Sequence, residues 1–189
     1  MSKAELQSAA LMRRKAVAPD VAAAFRDRIA AQGLELAQGF GPGIAALYWP
    51  VRSEADPRGL LEALAAQGIG TALPVTVSRV APLEFRLWRP GDPQVLGQLA
   101  IPEPARHLPH CEPDILFVPL AAFDRRLYRI GYGAGHYDRA LAHLRARKRV
   151  LAIGLAYAAQ EVTEVPAEPH DERLDLVLTE RELIRAGDL

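Results

Sequence analysis

The sequence predicts an α/β fold, a single domain of three α/β/α layers around a mostly parallel sheet. Three observations carry this. Near-continuous apolar runs at 114–120 (DILFVPL), 149–157 (RVLAIGLAY) and 174–179 (LDLVLT) mark strands covered on both faces. A strand, helix, strand succession runs from 44 to 77, the order of a parallel crossover unit. No linker or internal repeat divides the 189 residues, half of them hydrophobic, so one domain over 1–189 with one sizeable core is expected.

Residues 3–17 read as a helix with alanine and leucine to one side, ended by Pro19. A second helix follows, with Asp20 as its expected cap and Val21, Phe25 and Ile29 spaced for one buried face. GFGPG at 39–43 breaks that pattern. IAALYW (44–49), bounded by glycine and proline, predicts a buried strand. A helix at 57–67 carries Leu60, Leu61 and Leu64 and leads through Gly68 and Gly70 into the strand TALPVTV. LEFRLW (83–88) alternates as a half-exposed strand does, while 90–113, rich in proline and glycine, is expected to wrap the surface. A further helix is expected at 136–147, with Tyr137, Leu141 and Leu144 on one stripe.

Lysine plus arginine equals aspartate plus glutamate at 23 each, so no overall field steers the chain to nucleic acid or an anionic membrane. The single cysteine, Cys111, excludes an intrachain disulfide. The Met1 end is polar and unlike a signal peptide, and the longest strongly apolar segment, Ile115 to Phe123, is about half of a membrane span. A soluble, cytoplasmic monomer that binds neither nucleic acid nor membrane is the expectation.

The segment most suggestive of chemistry is RIGYGAGHYDRAL, 129–141. Gly131, Gly133 and Gly135 lead into the helix, an arrangement that lets backbone N–H groups turn inward and cradle an anion at a helix N-terminus. Arg129 and Arg139 stand ready as cations. The spacing matches neither GxxxxGK[ST] nor GxGxxG, so the residues alone read equally well as a phosphate loop or a tight turn. Asp138 is open in the same way. It would bridge to a phosphate through magnesium, or serve only as an acidic residue favoured in a first helical turn.

DILFVPLAAFDRRLYRIGYGAGHYDRAL (114–141) and AIGLAYAAQEVTEVPAEPHDERLDLVLTE (152–180) resemble the 5-formyltetrahydrofolate cyclo-ligase family. ALYWPVRSEADPRGLLEAL and WRPGDP…AIPEP lie upstream in family order. The resemblance implies conversion of 5-formyltetrahydrofolate to 5,10-methenyltetrahydrofolate, with ATP consumed, Mg²⁺ as cofactor, and ADP and phosphate released. It implies phosphorylation of the formyl oxygen followed by ring closure through N10. Carried onto this sequence, Lys3, Arg129, Gly131, Tyr132, Gly133, Ala134, Gly135, His136 and Tyr137 would hold ATP. Trp49 and Glu54 would meet the folate together with Tyr132, Gly133, Ala134, Gly135 and His136, and Asp138 and Asp175 would be the metal-associated carboxylates.

Each of these residues also has a plainer reading: Lys3 as an exposed helix charge, Glu54 as a solvated loop charge, Trp49 as core, Asp175 as a turn residue. The chain departs from the family pattern at Gln7, where an arginine is usual, and at Ala134 and His136. His136 is expected to donate a hydrogen bond to phosphate or folate in place of an aromatic contact. Arg13, Arg14 and Lys15 read as a charged helix face. Replacing Asp138 by alanine is expected to abolish Mg²⁺-supported turnover with the fold intact. A non-cyclising paralogue that binds folate or nucleotide is the alternative that Gln7 and His136 keep open.

Overall fold

Period-two alternation along the strands divides the apolar side chains between two cores. In 115–119, Ile115 and Phe117 enter one core while Leu116 and Val118 enter the other. In chain order the computed structural model, which describes residues 1–98 and 100–186, begins with helices α1 (Lys3–Lys15) and α2 (Pro19–Phe40). Strand β1 (Ile44–Ala46) and helix α3 (Arg58–Ala66) follow. Next come β2 (Gly70–Val75), β3 (Glu84–Leu87), β4 (Gln94–Leu96), β5 (Pro102–Pro104) and β6 (His110–Cys111). Then β7 (Ile115–Pro119), β8 (Ala122–Phe123) and β9 (Arg129–Ile130) lead to helix α4 (His136–Arg145). The described chain ends with β10 (Leu151–Leu155), β11 (Leu176–Leu178) and β12 (Leu183–Arg185).

Eight strands form one sheet in the order β12-β11-β10-β7-β1-β2-β3-β6. The central run β11-β10-β7-β1-β2 is parallel, and the outer pairings are antiparallel. The sheet is therefore mixed but mostly parallel, as the buried runs imply. Helices α2 and α3 cover one face through Phe25, Ile29, Leu60, Leu61 and Leu64, and α4 covers the other through Ala140, Leu141 and Leu144. The two helices on the first face cross closely at Gly33, where a Cβ would stand 2.5 Å from a methyl of Leu60. Among the described residues no helix is long and apolar enough to cross a membrane.

Several expectations shift in detail. Asp20 does not cap α2: Ala18 takes that position, Pro19 is the first helical residue, and Asp20 lies in the first turn, where the helix dipole favours it. The strand expected at 44–49 stops its ladder at Ala46, which frees Tyr48 and Trp49 to leave the sheet. The surface segment 90–113 contains the β4–β5 ribbon and the edge strand β6. The hairpin β8–β9, between β7 and the glycine loop, was not foreseen.

Candidate active site

Two cavities open beside the carboxyl ends of the parallel strands, where open α/β sheets bind ligands, and the glycine loop is the wall between them. The first, of about 190 Å³, is lined by Tyr48 and Trp49 beyond β1, Pro74 and Thr76 at the end of β2, Pro119 of β7, and two carboxylates, Glu54 and Glu103. The second, of about 780 Å³, is lined by Lys3 and Gln7 of α1, Gly133, Arg139 and Asp171. Arg129, Gly131, Ala134, Gly135 and Asp138 border both. We refer to them as the aromatic cavity and, after Lys3, Arg129 and Arg139, which share its lining with Asp138, Asp171 and Glu172, the cationic cavity.

The loop takes its shape from two of its glycines. Gly133 (φ +92°) and Gly135 (φ +63°) lie in left-handed backbone that side chains with a Cβ rarely adopt. Gly135 caps α4 without any side-chain cap, so the first-turn amides of that helix are left for another acceptor. Gly131 has no such constraint, and a Cβ built there meets nothing within 4 Å. Gln7, the residue at the missing arginine, donates from Nε2 to the Gly131 carbonyl at 2.6 Å. It clasps the loop backbone.

Asp138 and Arg129 form the charged centre of this wall. Arg129, whose side chain is 4% exposed, donates from Nη2 to Asp138 Oδ1 at 2.8 Å, and from Nη1 to the Glu172 carbonyl. Burial pulls the guanidinium pKa down, and the Asp138 carboxylate opposes that shift. Asp138 Oδ1 also accepts the Glu172 amide at 3.1 Å. Asp138 is therefore the counter-charge of a buried cation, so its replacement is expected to cost stability as well as any metal-binding role. Asp175 stands apart. Its Oδ2 accepts from Arg145 at 2.9 Å and from the Ala152 amide at 2.7 Å. Arg145 lies seven residues along α4 from Asp138, about 10.5 Å of helix axis, so the side chain that holds Asp175 comes from the opposite end of the helix.

The structure separates the remaining candidates by side. Tyr132, His136 and Tyr137 line the aromatic cavity and not the cationic one, while Gly133 and Lys3 line only the cationic one. Lys3 pairs with Asp171 at 2.8 Å and Glu168 at 3.5 Å. Burial disfavours its charge, but the Asp171 and Glu168 carboxylates together outweigh that and raise its pKa. The His136 Nε2 lies 3.2 Å from the Arg79 carbonyl, so its donor is directed to the segment before β3. Glu54 accepts the Val51 amide at 2.8 Å, so it is a fixed wall residue and not a loose surface charge. Trp49 packs edge-on to Trp88 at 6.0 Å and also borders the aromatic cavity.

Two residues escaped the sequence reading. Glu103 is buried, holds the Thr76 amide at 3.0 Å, and pairs with no cation among the described residues; it sits in the stretch read as surface wrapping, though AIPEP carried the resemblance. Arg14, read as part of a charged face, is 5% exposed. It donates to Ser53 Oγ at 3.1 Å and to the Tyr132 hydroxyl at 2.6 Å. Among the described residues, no group of three His, Cys, Asp or Glu side chains is placed to hold a metal ion. A magnesium that takes one or two carboxylates and completes its shell with phosphate and water needs no such cluster.

Comparison with known proteins bears on this geometry. Residues 1–180 match the family model described as the 5-formyltetrahydrofolate cyclo-ligase family. A 5-formyltetrahydrofolate cyclo-ligase of Mycolicibacterium smegmatis is 36% identical over 190 residues, covering 94% of this chain and 93% of that protein. Its counterpart from Haemophilus influenzae is 37% identical, covering 67% and 70%. The solved structure of a 5,10-methenyltetrahydrofolate synthetase from Aquifex aeolicus superposes with a TM-score of 0.81 at 25% identity, over 100% of this chain and 95% of that one.

Proposed function

Because this chain belongs to the 5-formyltetrahydrofolate cyclo-ligase family, an enzyme family of ligases, we propose that it closes 5-formyltetrahydrofolate to 5,10-methenyltetrahydrofolate at the expense of ATP. The observation that carries the reading is the shared wall. A phosphoryl group passing between two substrates requires two sites that adjoin, and here both cavities are bordered by Arg129, Gly131, Ala134, Gly135 and Asp138. The aromatic cavity suits a pterin: Trp49 offers a flat apolar surface, and Glu54 and Glu103 offer carboxylates to its N–H groups. The cationic cavity suits a triphosphate, with Lys3, Arg139 and the uncapped amides of α4 toward it.

The chemistry follows from the leaving group. A formamide oxygen leaves poorly; once it has accepted the γ-phosphoryl group and ADP has departed, N10 attacks the formyl carbon and releases its proton to solvent, and phosphate leaves as the ring closes. The residues contribute position and charge rather than covalent steps. Glu54 and Glu103 orient the pterin, Trp49 supports its plane, and the loop amides with Arg139 receive the phosphate charge. Asp138 fits a magnesium ligand, since both of its hydrogen bonds fall on Oδ1, which leaves Oδ2 to coordinate, and the residue borders the two cavities. Magnesium bound there would neutralise charge on the transferring phosphoryl group. Asp175, held by Arg145 at the other end of α4, is not part of this proposal.

The test is omission. Purified protein mixed with 5-formyltetrahydrofolate, ATP and Mg²⁺ should develop the near-ultraviolet absorbance of the methenyl product, and withholding any one component should abolish it. Product without ATP would rule out the ligase chemistry. A flat trace from folded protein that still binds both ligands would favour the non-cyclising paralogue.

A further inference from the structure

We propose that Arg14 is a positioning residue for the aromatic cavity, acting through the hydroxyl of Tyr132. The proposal rests on the cyclo-ligase reading only for the identity of the ligand. Arg14 sits on α1 four and seven residues beyond Ala10 and Gln7, so Gln7, Ala10 and Arg14 share one stripe with Lys3. Ala10 buries the middle of that stripe, and the polar members reach the loop and its flanks. Arg14 does not border the aromatic cavity. It lines a separate cavity of about 330 Å³ behind it, together with Ser53 and Glu54.

From there its guanidinium ties two segments together. Nε donates to Ser53 Oγ at 3.1 Å, next to Glu54 in sequence, and Nη1 donates to the Tyr132 oxygen at 2.6 Å with the guanidinium carbon 6.0 Å from the ring centroid. A phenol oxygen that accepts from a cation keeps its own hydrogen for an acceptor, and the carboxylate beside it is Glu54. Burial raises the Tyr132 pKa; the Glu54 charge and hydrogen bond raise it further, and Arg14 opposes both. Glu54 is gripped from its other side by the Val51 amide at 2.8 Å. Arg14 thus orients Tyr132, which shares the wall of the aromatic cavity with Glu54. Tyr132 borders the aromatic cavity alone, so the effect falls on one substrate.

Calorimetric titration of 5-formyltetrahydrofolate, and separately of ATP, into the wild type, Arg14→Gln, Tyr132→Phe and the double variant tests this. Each single change should weaken folate binding about tenfold, the scale of a hydrogen bond to a charged group, with ATP affinity unchanged. The double variant should bind folate no more weakly than the weaker single variant, because both changes remove one linkage. Arg14→Lys keeps the charge without the fork and should recover only part of the loss. Losses that multiply, an ATP affinity that falls in step, or a Tyr132→Phe variant with wild-type folate affinity would each overturn the proposal. Should Arg14→Gln not fold, Tyr132→Phe decides alone, since Tyr132 is 50% exposed and the change removes only the hydroxyl, while Arg14 keeps its bond to Ser53. A wild type that binds folate without cyclising it would end the ligase reading and leave this proposal standing; one that binds no folate would end both.

Discussion

Gly131→Ala separates a glycine kept for backbone shape from one kept for a ligand. In this structure the substitution is sterically free, since φ at Gly131 lies outside the left-handed region and a Cβ meets nothing within 4 Å. Removing a glycine from the unfolded ensemble then stabilises by about 0.4–1 kcal/mol, which at about 2–4 °C per kcal/mol for a chain of this size raises Tm by roughly 1–4 °C. Gly133→Ala is the control. Its Cβ is equally unobstructed, but φ is +92°, and forcing a Cβ into left-handed backbone costs about 1–2 kcal/mol. Thermal unfolding should therefore rank Gly131→Ala at or above the wild type and Gly133→Ala below it. Turnover should fall at least tenfold in both, because Gly131 borders both cavities and a methyl there stands where a substrate must approach. A destabilised Gly131→Ala would refute the loop geometry; a stable and fully active one would refute the claim that substrate lies against this residue.

Asp138→Asn should do more than weaken metal binding: it strands the buried Arg129 cation, at about 3 kcal/mol or roughly 6–12 °C in Tm, and product formation should lose its response to Mg²⁺. A variant as stable as the wild type would contradict the buried pair. Burial alone would raise the Asp171 carboxyl pKa, but its hydrogen bonds, the Lys3 bond above all, hold it lower than usual. That contribution to stability is whole above the ordinary carboxylate pKa of about 3.9 and is lost as pH falls through the lowered value. Lys3→Met should accordingly flatten the acid arm of a Tm-versus-pH curve and leave the neutral region nearly level, and an unchanged acid arm would remove the pair from the account.

The centre of the fold was legible because its strands are long and buried on both sides: DILFVPL, RVLAIGLAY and LDLVLT show no polar alternation, and β7, β10 and β11 lie within them. What escaped was short or tertiary. The strands β8, β9 and β12 span two or three residues, too few for any period to appear. At the site, the glycines announced themselves through composition, but the roles of charged residues depend on what lies across space. Arg14 looked like its neighbours Arg13 and Lys15 until α1 turned it inward onto Tyr132 and Ser53. The ion pair of Asp175 with Arg145 of α4 was likewise invisible in the chain. The two-cavity arrangement could not be read from the chain at all, since its walls come from segments as far apart as Lys3 and Glu172.

The measurement that bears most directly on two substrates meeting across one loop is the initial rate of methenyl product formation, with 5-formyltetrahydrofolate varied at several fixed ATP concentrations in the presence of Mg²⁺. Two adjoining cavities occupied together predict double-reciprocal lines that intersect, the pattern of a ternary complex. Parallel lines would mean that ATP reacts and its product leaves before folate binds, and would contradict direct transfer between substrates held in the two adjoining cavities.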